Sequence, residues 1–206
     1  MPLPADIPDG LVDDLQMAYA TPPRAYHGFD HVREVLHQYD VVAAGPGWAQ
    51  PREVALAILY HDAIYEAGRI DNESRSAALA AEGIARWMSG AGIDIARVVE
   101  LIELTTRHGT HAPGDFPADA IGDDTRRFLD CDMAILGADA DRFDAYDRGI
   151  AAEYRGHVPG WLFRINRKRF LKALLGRERI YLSDLFHARL DAQARSNLRR
   201  AITTKR

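Results

Sequence analysis

The stretch Val54-Ala55-Leu56-Ala57-Ile58-Leu59-Tyr60 is the strongest constraint on this chain. Pro51 stands just before it, at a position that suits the first turn of a helix. Continued through Ala63 and Ile64, the segment reads as a helix apolar almost all round. Such a helix cannot face water on any side, so other elements must enclose it. The rest of the chain has to supply that shell.

It supplies helices. Ile7 to Ala20 is amphipathic and stops at Thr21-Pro22-Pro23. Asp30 to Ala44 carries Val32, Val35, Leu36 and Tyr39 at helical spacing, then meets Gly45-Pro46-Gly47. Asp71 or Asn72 can cap a helix running to about Met88. Ile93 to Arg107, Asp123 to Leu136, Asp139 to Arg155 and Trp161 to Leu175 follow, and Ile180 to Ile202 makes one or two more. Residues 109–120, with two glycines and two prolines, form a loop. No segment alternates with period two for long enough to form a sheet. The expectation is an all-α fold over residues 1–206. Its core spans about residues 24–140, and residues 141–206 are a helical extension.

Charge divides the chain the same way. Residues 1–140 hold 10 Lys+Arg and 23 Asp+Glu, a balance of −13; residues 141–206 hold 16 and 7, a balance of +9. Solvated helix faces account for such a split, and so do basic arms bending over an acidic site to hold an anion. One cysteine, Cys131, excludes an internal disulfide and a cysteine zinc cluster. No apolar run reaches membrane-spanning length, and residues 1–20 lack the pattern of a secretion signal. We therefore expect a cytoplasmic protein, a monomer or small homo-oligomer, with neither a membrane nor a nucleic-acid polymer as partner.

Five of the eight histidines fall in three clusters: His27 with His31, His61 beside Asp62, and His108 with His111. His61-Asp62 lies within the apolar segment, where an imidazole and a carboxylate are costly unless compensated. An internal His–Asp hydrogen bond would compensate them, and so would a divalent cation. Asp132, in the apolar string Phe128 to Leu136, is a second such carboxylate, with Asp130 as the alternative. His31 borders the core through Val32 and Val35. Together His31, His61, Asp62 and Asp132 make a set of two His and two Asp that leaves coordination positions open for water and substrate.

A His, a His-Asp doublet about thirty residues on and a distant Asp on a helical background resemble the HD superfamily of metal-dependent phosphohydrolases. His31 fits the first His, His61-Asp62 the doublet and Asp132 the last Asp, with Met133 and Ala134 departing from the usual pattern. Tyr60-His61-Asp62-Ala63-Ile64-Tyr65, Asp71-Asn72-Glu73, Ile135-Leu136-Gly137 and Ile180-Tyr181 add a narrower likeness to a small bacterial branch of it. The resemblance implies hydrolysis of a small phosphorylated molecule, a nucleotide or related phosphoester, with one or two divalent ions (Mn, Fe, Co, Ni, Mg or Zn). HD-type di-iron oxygenases and non-catalytic nucleotide sensors are the alternatives. Tyr26-His27 followed by His31 is also similar to a string of cyclic-nucleotide phosphodiesterases, with Gly28 in place of its Asn. That likeness implies His27 as general acid.

His108 and His111 stand where several HD subfamilies supply a second metal, or could contact a phosphate, although a His in a helix's last turn also complements the dipole. Glu73 is either a base for the attacking water or a carboxylate at a helix start. Asp62 belongs with His27 and Glu73 among the expected catalytic groups. Arg107, Arg164 and Arg169 are the substrate-binding candidates, the last two from a basic run that is otherwise a solvated surface.

Overall fold

In the computed structural model, which describes residues 7–20 and 24–203, the segment after Pro51 is indeed enclosed. Every residue from Val54 to Tyr60 is buried. The described residues form α1 (Asp9–Ala20), α2 (Phe29–Ala43), α3 (Pro51–Tyr60), α4 (Asn72–Trp87), α5 (Ile95–Leu104), α6 (Ala120–Met133), α7 (Ala140–Glu153), α8 (Gly160–Leu175) and α9 (Asp184–Thr203), with no strand among them. The fold is all-α. α3 packs against α2, α4, α5 and α6, and a continuous cluster of buried apolar side chains runs from Leu11 to Leu198. None of these helices is long and apolar enough to cross a membrane. The Thr21-Pro22-Pro23 stop lies outside the described residues.

Helix starts follow local chemistry where a side chain is free to cap. The carboxylates of Asp94, Asp119 and Asp139 accept from the backbone N–H groups of Arg97, Gly122 and Arg142. Asp71 precedes α4, but its side chain is taken by Arg69, 2.6 Å away, and does not cap. α3 is capped from another helix. Buried Asp124 of α6 accepts from the N–H groups of Ala49 and Gln50 at 3.0 and 2.7 Å.

Three boundaries differ from the sequence reading. The α3 helix ends at Tyr60, so Asp62, Ala63 and Ile64 lie in the turn beyond it. Apolar periodicity continues past the end because the turn is buried too, with Ala63 fully enclosed. The helix expected over Asp123 to Leu136 starts earlier, at Ala120, and tightens to a 3-10 turn over Ala134–Gly137. Ile180–Ser183 is buried but not helical, so the last segment is one helix, α9, preceded by an anchored loop.

α8 is packed differently from the rest. Only Leu171 and Leu174 of its sixteen residues are buried. Its first half stands over a cleft.

Candidate metal centre and cleft

Three places in the chain bring the site together: the first turn of α2, the end of α3 and the last turn of α6. The end of α3 matters most. A helix leaves its last carbonyls without intrahelical partners. Here Leu59 O accepts from the Tyr19 hydroxyl at 3.1 Å, and Ile58 O lies 2.8 Å from His61 Nδ1. A carbonyl only accepts, so Nδ1 of His61 carries the hydrogen. Its Nε2 is thereby left to face the site as a lone pair in the neutral ring.

Around that nitrogen the donors converge. His31 Nε2 is 3.1 Å from His61 Nε2 and 3.1 Å from Asp132 Oδ1. Asp62 Oδ2 is 3.2 Å from His61 Nε2 and 3.5 Å from His31 Nε2. Asp132 Oδ1 is 3.6 Å from His61 Nε2. His31, His61 and Asp62 offer three ligand atoms within 4.8 Å of one another, and Asp132 adds a fourth beside the two imidazoles. With neutral imidazoles the group carries −2 from its two carboxylates. That field pulls for positive charge. Burial pushes His61 down, but the charge of Asp62 and bonds to Asp132 and Asp62 outweigh it and hold the imidazole well above its ordinary range. Burial likewise pushes Asp62 and Asp132 up. The imidazoles of His61 and His27 outweigh it at Asp62, and His108 outweighs it at Asp132, so both stay below the usual carboxylate range. A proton on His61 answers this demand, as would a divalent cation between the four donors.

Asp130 and Asp132 face opposite ways. Asp130 accepts from the N–H groups of Leu182 and Ser183, each at 2.7 Å, and from the Ser183 hydroxyl at 2.6 Å. It is the anchor of the loop before α9. Of the two, it is Asp132 that faces His31 and His61.

His27 lies in the loop before α2, not on the helix. The carboxylate of Glu153, 5% exposed at the end of α7, takes three bonds from this loop. The N–H groups of Tyr26 and His27 donate to Oε1 at 2.7 and 2.9 Å, and His27 Nδ1 lies 2.7 Å from Oε2. The imidazole also stacks on Tyr65, centroids 4.1 Å apart. Its Nε2 remains for the cleft. Burial pushes Glu153 up, but the His27 bond and charge and the two N–H bonds hold it below its usual range. Arg24 ties the same loop to the α3 turn, donating to the carbonyls of His27, Asp62, Ala63 and Ala18 at 3.0, 2.5, 2.9 and 3.1 Å.

A cleft of about 410 Å³ opens over the site. His27, His61, Asp62, His108, Asp132 and Glu73 line one side; His31 sits beneath, 3% exposed. Tyr146, Tyr154, Phe163 and Phe170 line the other, with Arg167 held between. The Arg167 guanidinium lies 4.9 Å from the Tyr146 ring centroid and 5.5 Å from that of Phe170, and its Nε donates to Asp147 at 3.0 Å.

The remaining candidates are placed as follows. His108 Nδ1 is 2.6 Å from Asp132 Oδ2, and that carboxylate outweighs burial to raise its pKa. His111 is outside the cleft, its Nε2 donating to Leu104 O at 3.2 Å, so it does not join His108 at a second metal position. Asn72 is structural, its amide bonded to both backbone groups of Glu66. Arg107 and Arg169 are exposed and do not line the cleft, and Arg164 lines a neighbouring hollow. Of the other histidines, His37 and His157 are exposed, and His187 sits 3.3 Å from Asp191. Glu153, Arg24 and the aromatic wall give no signal in the sequence, and Arg167 stands there only as one member of the basic run. In comparisons with known proteins, no family model, no curated protein and no solved structure matches this chain.

Proposed function

We propose that this protein is a metal-dependent phosphohydrolase acting on a small phosphorylated molecule, a nucleotide or related phosphoester. The observation that carries this is the convergence of His31, His61, Asp62 and Asp132 on the side of a cleft that also presents His27. Those four residues would hold a divalent cation, for which two neutral imidazoles and two carboxylates suit Mn, Fe, Co, Ni, Mg or Zn. Such a cation, when bound, activates water and polarises a phosphoryl oxygen.

The chain's own groups do the rest. With its Nδ1–H donating to Glu153, the doubly protonated His27 presents Nε2–H to the cleft and gives that proton to the leaving oxygen, returning to the neutral ring. Glu73, at the start of α4, is within the same cleft to orient the attacking water. His108 and Arg167 offer N–H groups to the phosphoryl oxygens, and the aromatic wall excludes water from the leaving group.

Metal analysis of the purified protein, followed by phosphatase and phosphodiesterase substrates in each candidate metal, tests this. Stoichiometric metal that is lost in Asp62→Ala, together with turnover of a phosphoester, supports it. Purified protein that takes up no divalent metal, or metal-loaded protein that turns over no phosphoester, overturns it.

A further inference from the structure

A second hollow shares part of the cleft's aromatic wall. Tyr154, Val158, Phe163 and Arg167 also line this hollow of about 600 Å³, enclosed by the end of α7, α8 and the last turn of α9. Four cations line it, Arg155, Arg164, Arg167 and Lys168, against one acid, Asp147. The balance, four minus one, is +3, and that one acid is bonded by Arg167.

Several basic side chains elsewhere in the molecule are paired with acids. Arg142, Arg195 and Arg200 lie 2.7, 2.5 and 2.9 Å from Glu34, Asp191 and Asp144. Arg155, Arg164 and Lys168 form no ion pair among the described residues. The basic run of α8 is also sorted by face. Arg164, Arg167, Lys168 and Leu171 are spaced three and four apart and line the hollow, with Arg155, Arg164 and Lys168 remaining solvent-exposed, while Arg169 and Lys172 do not line it. Around the cations the walls are apolar: Ala151, Val158, Phe163 and Ile202. Uncompensated cations in a concave, partly apolar setting concentrate positive potential, and that potential selects an anion.

We propose that this hollow binds a second anionic group on the substrate, so that the preferred substrates are phosphoesters whose leaving group itself carries a phosphate or carboxylate. This rests on the phosphohydrolase reading. The phosphoryl group to be cleaved meets the His–Asp side of the cleft, the middle of the molecule lies along Tyr154 and Phe163, and the second anion reaches Arg155, Arg164 and Lys168. The acidic first part and basic last part of the chain then serve one ligand.

Two measurements test it, on full-length protein and on the triple variant Arg155→Gln, Arg164→Gln, Lys168→Gln. The first is calorimetric titration of chelator-treated protein with fructose 1,6-bisphosphate and with 3-phosphoglycerate, against fructose 6-phosphate and glycerol 3-phosphate. Without metal, wild type should bind each doubly anionic probe about tenfold or more tightly than its singly anionic partner, and the triple variant should lose that preference. Loss for the bisphosphate alone assigns the hollow to phosphate, and loss for both assigns it to anions generally. Equal binding of all four probes by wild type overturns the proposal, as does a preference unchanged in the triple variant. The second measurement uses metal-loaded enzyme and takes the ratio of kcat/KM for each doubly anionic probe to that for p-nitrophenyl phosphate. The ratio should fall about tenfold or more in the triple variant. If nothing is hydrolysed by either protein, the phosphohydrolase reading fails, while the titration still decides whether the hollow binds anions.

Discussion

Glu153 Oε2 lies 2.7 Å from Nδ1 of His27 across 126 positions of sequence, and its other oxygen holds the backbone of the same loop. The carboxylate therefore sets the tautomer and the position of the imidazole together. His27→Ala should keep fold and metal but lose roughly 10² to 10⁴ in turnover, the range of one acid–base group. The loss should shrink for p-nitrophenyl phosphate, whose leaving group needs no proton. Metal loss in His27→Ala would make His27 a ligand instead.

Glu153 also makes stability depend on pH. Its pKa is held below the usual 4.5, so the folded state binds this proton less readily than the unfolded chain. The stabilisation is present above about pH 4.5 and is lost as pH falls through the lower folded value. Denaturant unfolding of wild type and Glu153→Gln should differ at pH 7, and the difference should shrink on going to pH 3. A difference that grows in acid would reverse the sign assigned here.

Removal of metal should soften the whole fold, because the four donors come from α2, the α3 turn and α6. A ligand at a hundred times its Kd adds about 2.7 kcal/mol, which for a chain of this size is a Tm shift of about 5 to 10 °C. Chelation should lower Tm by that amount. His31→Ala and Asp62→Ala should melt at the same temperature with and without chelator.

Asp130 and Asp132 should separate cleanly. Asp132→Asn should lose metal. Asp130→Asn should keep metal and lose stability instead, since an amide nitrogen cannot accept from Ser183 or Leu182. Each buried donor so stranded costs about 1 to 3 kcal/mol. Metal content and Tm measured on both variants decide the assignment.

Arg24→Lys tests the link between the His27 loop and the Asp62 turn. One ammonium has three N–H groups for four carbonyls spread over three segments, so at least one is stranded. A loss of about 1 to 3 kcal/mol is expected in denaturant unfolding, with weaker metal retention during dialysis.

What was legible in the sequence follows from where the information lies. Helices were readable because Val32, Val35, Leu36 and their equivalents repeat at the period of the helix itself. His31, His61, Asp62 and Asp132 were readable because polar groups inside apolar strings stand out. The end of α3 was misread because Ala63 and Ile64 continue the apolar pattern, whereas the chain leaves the helix to meet Arg24 and Ser76. Glu153 gave no signal, being one acid among several on an amphipathic helix, and only the packing of α7 beside the His27 loop makes it special. Arg167 was hidden in a run of five basic residues whose faces are told apart by where α8 sits.

The anchoring of Asp130 has a consequence for the order of events during synthesis. Leu182 and Ser183, which hold it, leave the ribosome 52 and 53 residues after it. Until they arrive, Asp130 lacks the donors that hold it in the folded protein, two positions from Asp132. A nascent chain that already contains the proposed ligands His31, His61, Asp62 and Asp132 is therefore not expected to bind a cation yet. Cation capture is expected to wait for Leu182 and Ser183, and truncation before Ile180 should yield protein that purifies without metal although every proposed ligand is present.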